Sequence, residues 1–228
     1  MKGSAKTRAA RAARAAAFAL IACALAQPAV AQQLQFEAPP KPPAGRSALP
    51  VNALSHADLL AELHKGSYVI YFRHTSTDFS RDDSRSQSDE DCANQRPLTD
   101  KGREEARQIG AALRELKIPV GRVLASPRCR TVETAMLAFG RADKSADARA
   151  GPPAHESADR YAGLRGLLST PVKPGANLVI ASHGNPFYGV AGPPYLAEGE
   201  AAVIRPLGHD FEIVARVRHD AWRALTKN

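Results

Sequence analysis

Apolar and polar positions along the chain alternate between strand-like and helix-like stretches. Tyr68 to Phe72 is a short run of β-branched and aromatic residues, the pattern of a buried strand, and it stops at Arg73-His74 before the polar turn Thr75 to Asp78. Val120 to Ala125 repeats the pattern and stops at Ser126-Pro127. Asn177 to Ser182 repeats it again and stops at the turn His183-Gly184-Asn185-Pro186. Between these runs the apolar period lengthens to that of helices. Ser55 to Lys65 has Leu59, Leu60 and Leu63 on one side, Ser55 at the N-cap and Gly66 past the end. Thr99 caps a helix to about Leu116, with Ala106, Ile109, Leu113 and Leu116 as its stripe. A third helix takes Ser126 as N-cap and Pro127 as its first residue, with Val132, Ala135, Met136 and Phe139 facing the core. His155 to Leu168 forms a fourth. A hairpin, Ala201 to Pro206 and Asp210 to Arg218 around Leu207-Gly208-His209, precedes a short helix whose Trp222 and Leu225 close the core. The pattern predicts one α/β domain.

Residues 1–31 stand apart from that pattern. Lys2, Lys6, Arg8, Arg11 and Arg14 precede an apolar core, Ala15 to Ala26, and Ala29-Val30-Ala31 offers a small-x-small cleavage site, which together read as a secretory signal peptide. Leu20-Ile21-Ala22-Cys23 offers a lipoprotein alternative through Cys23. Five of the 31 basic residues and none of the 23 acidic ones lie in the leader, so its removal lowers the formal charge from +8 to +3. An excess that small gives no argument for a nucleic-acid partner. Residues 32–54, with Pro39-Pro40-Lys41-Pro42-Pro43, read as an extended tether, which leaves 55–228 as the folded domain. No second stretch is apolar for long enough to span a membrane. The leader implies a periplasmic or secreted location. In oxidising surroundings Cys92 and Cys129 are expected to form a disulfide, with two separate buried thiols as the alternative.

Candidate chemistry gathers where the apolar runs stop. The C-terminal edge of an open α/β sheet is where ligands bind, and Arg73, His74 and His183 all stand at such an edge. At about 100° per residue, Arg130 points away from the core stripe of its helix, in the first turn, where it adds to the positive end of the helix dipole. Asp78 to Pro97 reads as a long, partly acidic loop beside the site, without the spacing of a calcium loop. Two histidines and two arginines suit phosphoryl transfer. Arginines bind the phosphoryl oxygens through paired donors, and a neutral imidazole attacks phosphorus to form a phosphohistidine that water hydrolyses. Neighbouring cations keep that imidazole unprotonated. Neither histidine lies in an HxH or HExxH spacing, so a metal site is not indicated.

These residues resemble the histidine phosphatase, or phosphoglycerate mutase-like, superfamily. Arg73-His74-Thr75 matches its Arg-His-Gly strand end with Thr in place of Gly. Leu98, Thr99, Gly102 and Ala106 match an LTxxGxxxA helix start, and Ser126, Pro127, Arg130, Thr134 and Ala135 match an SPxxRxxxTA segment. Asn177 to Gly184 matches the strand that ends in a second histidine. The resemblance implies a three-layer αβα sandwich, His74 as nucleophile, and a phosphate pocket of Arg73, Arg130 and His183, with no metal and no cofactor. Asp91, Cys92, Gln95, Arg96 and Leu98, with the leader, are similar to a small exported bacterial branch near the lipopolysaccharide heptose phosphate phosphatases. The family pattern places a proton donor in the window that holds Glu156, with Asp78 and Glu200 as rivals. The expected function is that of an exported phosphomonoesterase acting on a small phosphorylated substrate, with phosphohistidine or phosphosugar specialists as narrower forms. The alternative is an envelope module that binds phosphate ligands without turnover.

Overall fold

The computed structural model describes residues 40–149 and 159–226. Six strands, β1 (Val69–Arg73), β2 (Val120–Ala125), β3 (Asp143–Lys144), β4 (Asn177–Ser182), β5 (Ala201–Pro206) and β6 (Phe211–Val217), join in the order β3-β2-β4-β1-β5-β6. The four strands β3, β2, β4 and β1 run parallel to one another, while β5 and β6 are antiparallel additions beyond β1. Alternation along β1 divides the apolar side chains between two cores. Ile70 and Phe72 pack with Leu59, Leu63, Ile109, Leu113 and Trp222 on one face. Val69 and Tyr71 pack with Leu164, Leu168, Phe187 and Val190 on the other. Helices α1 (His56–Lys65), α2 (Asp100–Glu115) and α3 (Cys129–Phe139) cover the first face, and α4 (Ala162–Ser169) and α5 (Gly184–Ala191) the second. The result is the expected three-layer αβα sandwich. Central strands covered on both faces read as continuous apolar runs, which is why β1 and β4 are visible in the sequence, while β2 is buried only over Val123 to Ala125.

The caps explain where two helices start. Ser55 Oγ accepts from Asp58 N at the head of α1, and Thr99 Oγ1 accepts from Gly102 N at the head of α2. Gly66, at φ 79°, ends α1 in a conformation that favours glycine.

Several expectations change. α3 begins at Cys129 rather than at Pro127, with Arg128 in the N-cap position. Its buried face is made of Arg130, Thr131, Thr134, Ala135 and Ala138, while Met136 is 47% exposed. Small residues face inward because α3 lies so close to α2 that a Cβ on Gly110 would stand 1.9 Å from Ala138 O. His183-Gly184-Asn185-Pro186 is the head of α5 and not a free turn. In the β5–β6 hairpin the pairing shifts between Val203 and Ile204, so Phe211 and Ile213 join one core whereas Ala215 and Val217 join the other. Residues 46–54 lie on the domain instead of forming a tether: Arg46 pairs with Asp210 at 2.5 Å, Ala48 N donates to Pro193 O at 2.7 Å, and Leu54 N donates to Val214 O at 3.2 Å. The last described element is a 3-10 turn, Trp222–Thr226, with Trp222 fully buried. The proposed leader lies outside the described residues. Among the described residues no helix is long and apolar enough to cross a membrane.

Candidate active site

Register brings the two histidines together. β1 pairs Arg73 with Ser182 of β4, and each histidine is the next residue on its strand. The chain then leaves β1 toward one face of the sheet and β4 toward the other, which opens a crevice between the strand ends. The His74 and His183 rings stand edge to face, with centroids 5.6 Å apart and planes at 68°. The backbone beneath them is pinned from both sides. His74 N donates to Ser182 O at 2.9 Å, and Gly199 N is shared between Arg73 O at 3.2 Å and His74 O at 2.9 Å. His74 Nδ1 lies 3.0 Å from Thr75 O. A carbonyl only accepts, so Nδ1 carries the proton and Nε2 keeps its lone pair. His183 is held differently: its Nε2 lies 2.8 Å from Ser126 Oγ at the end of β2.

The turn after His74 is fixed by α2 and α3. Thr99 N donates to Ser76 O at 3.0 Å, and Glu105 accepts from Ser76 N at 3.0 Å and Ser76 Oγ at 2.9 Å. α2 comes so near that a Cβ at Gly102 would stand 2.0 Å from Ser76 O. Spacing Thr99, Gly102 and Glu105 along one helical turn and the next therefore clamps the segment that follows the histidine. Thr75 is fully buried, with its Oγ1 3.4 Å from Thr134 Oγ1, so α3 accommodates the methyl and hydroxyl that a glycine would lack.

Both arginines reach the crevice. Arg130, expected to point away from the core into the site, is 8% exposed and belongs to the buried face of α3. Its Nη1 donates to Asp83 Oδ1 at 3.0 Å and Oδ2 at 2.9 Å. Arg73 Nη1 donates to Leu196 O at 2.8 Å, and its Nη2 is 3.6 Å from Glu198 Oε1. The Arg73 guanidinium also lies 5.1 Å from the centre of the Tyr195 ring. Tyr195 crosses Gly184 so closely that a Cβ there would enter the ring, and its hydroxyl donates to Asn185 Oδ1 at 2.7 Å. The Nε atoms of Arg73 and Arg130 are both buried without a hydrogen-bond partner. Burial holds both imidazoles well below their usual pKa, reinforced at His74 by Arg130 and Arg73 and at His183 by Arg130 and His74.

The carboxylates are arranged otherwise than expected. Asp78 accepts from Ser80 N at 2.9 Å, within its own turn. Glu200 is engaged by Arg216, whose Nη2 lies at 2.7 Å and whose Nε lies at 2.8 Å. Glu156 lies outside the described residues. Glu198 is the acid beside His74, 3.8 Å from its Nδ1 and held by Thr77 N at 3.2 Å and Thr77 Oγ1 at 2.6 Å. Asp83, Ser126, Glu198 and Arg96 were not singled out from the sequence as site residues. Arg96, whose guanidinium lies 4.7 Å from the Phe79 ring centre, acts electrostatically on both His74 and Arg130. Loop acids and a serine in a Ser-Pro turn carry no periodic signal. Cys92 and Cys129 are joined in a disulfide with their Cα atoms 5.6 Å apart. Among the described residues no group of three or more His, Cys, Asp or Glu could hold a metal ion.

Residues 69–151 match the family model of the histidine phosphatase superfamily (branch 1), which supports the superfamily that the motifs imply. The matched stretch includes Arg73, His74 and Arg130 but ends before His183. No curated protein matches the chain. Among solved structures, the protein histidine phosphatase SixA complexed with tungstate is similar at 20% identity and a TM-score of 0.46, over 67% of this chain and 97% of its own. YhfR of Bacillus stearothermophilus is similar at 17% identity and a TM-score of 0.44, over 65% and 95%. A protein of Thermus thermophilus gives 19% identity and a TM-score of 0.45, over 66% and 99%.

Proposed function

We propose that the protein is a phosphomonoesterase working through a phosphohistidine on His74. The observation that carries this reading is the pair of buried, unpartnered Nε donors on Arg73 and Arg130, set around two neutral imidazoles in one crevice. Buried donors without partners are rare in folded proteins, and a phosphoryl group would supply acceptor oxygens for both. Nε2 of His74, left with its lone pair, attacks phosphorus. The phosphorus–oxygen bond to the leaving group breaks, and the two arginines hold the equatorial oxygens as charge moves outward. Phosphorylation makes the His74 ring cationic, and Glu198 Oε1, 3.8 Å from Nδ1, faces the nitrogen over which that charge spreads. Water then attacks phosphorus, the Nε2–phosphorus bond breaks and Nε2 regains its lone pair as phosphate leaves; the water's proton passes to solvent, which in the first step protonates the departing oxygen.

His183 is assigned to the pocket wall rather than to attack, because its Nε2 is engaged by Ser126. Export, signal-peptide cleavage after Ala31 and membership of a small exported branch belong to the same proposal. The leader's composition and the Cys92–Cys129 bridge support them. Phosphate release from a panel of monoesters, assayed with the leaderless chain without added metal, tests the activity. Turnover of at least one ester class is expected, and no release from any ester would overturn the reading.

A further inference from the structure

We propose that Asp83 is a positioning residue for Arg130, and that the Cys92–Cys129 disulfide keeps the loop bearing Asp83 in place, so the phosphate pocket is fully formed only when that bridge is closed. The proposal rests on the reading of the crevice as a phosphate pocket. Both Asp83 oxygens approach one nitrogen of Arg130, Nη1, and Oδ1 also accepts from Arg96 N at 2.8 Å. A carboxylate standing in for a bound oxyanion would be expected to span two nitrogens of the guanidinium in a fork. This one holds a single end and leaves the buried Nε without a partner. Burial pushes the Asp83 carboxyl up, but the Arg130 guanidinium, the Arg96 N–H and Arg128 together hold it below its usual range, so it stays an anion. A long arginine fixed before substrate arrives loses less rotamer freedom on binding.

The loop that supplies Asp83 has little regular structure apart from a 3-10 turn at Cys92–Asn94. It is fastened to the start of α3, next to Arg130. Cys92 is bonded to Cys129, Gln95 Oε1 accepts from Cys129 N at 2.9 Å, and Arg128 Nη1 donates to Ser86 Oγ at 3.0 Å. Opening the bridge removes the covalent tie between loop and helix, across a sequence separation of 37, and leaves the Gln95 and Arg128 hydrogen bonds. The Asp83 to Arg130 contact is then held by weaker ties alone.

Calorimetric titration of inorganic phosphate into the leaderless chain tests this. Asp83→Ala is expected to weaken phosphate binding about tenfold, the effect of losing a charged hydrogen bond. Asp83→Asn should recover to within about threefold of wild type, because an amide oxygen still accepts from Arg130 and Arg96. Replacing both cysteines with serine should weaken binding about threefold in the wild-type background and hardly at all beside Asp83→Ala, since bridge and carboxylate act through one contact. Unchanged or tighter binding by Asp83→Ala, or full additivity with bridge removal, would overturn the proposal, as would a wild-type chain that binds no phosphate. The two Asp83 variants keep the bridge intact and decide the positioning role; where the double-serine chain does not fold, phosphate titration of the folded wild type after mild thiol reduction reads the open bridge, and unchanged affinity there would overturn the bridge's role. A chain that binds phosphate in this order but hydrolyses no ester refutes the phosphatase reading and not this one.

Discussion

Two neighbouring parallel strands end in histidine, and their surroundings treat the two rings differently. After β1, His74 donates a hydrogen bond from Nδ1 to the carbonyl of the next residue, and a turn clamped by the N-cap Thr99 and by Glu105 of α2 holds that residue in place. After β4, His183 meets the Ser126 hydroxyl with Nε2, and α5 starts at the following residue. The same local sequence device, a buried strand stopped by histidine, therefore yields one ring with a free nitrogen and one ring with that nitrogen occupied. On the proposed reading, which nitrogen is engaged separates attack from support.

The largest effects should come from breaking this asymmetry directly. His74→Ala is expected to lower kcat/KM by about 10⁴-fold or more, as loss of a nucleophile does. His183→Ala should cost about 10²-fold to 10³-fold, the scale of one donor to a developing oxyanion. Steady-state kinetics on the best ester separates the two, and equal losses would remove the distinction. Ser126→Ala should cost about tenfold and add little to His183→Ala, because the serine acts only through that ring. Additive losses would place Ser126 in contact with substrate instead.

The smallest and most diagnostic change is in pH dependence. Burial, Arg130 and Arg73 hold His74 well below its usual pKa, so kcat/KM should persist through pH 6.5 and fall only as the pH drops through the lowered value. Stability has the same sign: both histidines bind protons more readily when unfolded, so the folded chain loses stability as the pH falls below about 6.5. Arg130→Gln should move the acidic limb of the rate profile upward, toward the ordinary imidazole value. An unmoved limb would show that Arg130 does not tune the nucleophile.

Much of the fold was legible because burial on both faces leaves continuous apolar runs. β1 and β4 appear in the sequence for that reason, β2 through its buried second half Val123 to Ala125, and α1 and α2 through their stripes and caps. α3 was misread where close approach to α2 selects small side chains, so that Met136 turns outward and Arg130 inward. β3 pairs over two residues and carries no pattern. At the site, residues at strand ends were visible, since a polar side chain interrupting an apolar run stands out. Glu198 and Asp83 reach the crevice from irregular loops through contacts 121 and 47 residues distant in sequence, which no local pattern encodes. Glu200 is a rival to Glu156 for the proton donor in the sequence, but Arg216 on β6 engages it.

The most direct measurement is to incubate the leaderless chain with a phosphorus-labelled ester, quench, and map the acid-labile, base-stable label. Label on Nε2 of His74 in wild type, retained or increased in His183→Ala and lost in His74→Ala, is the predicted result. Label on His183, or turnover with no phosphohistidine at any time point, would contradict the account.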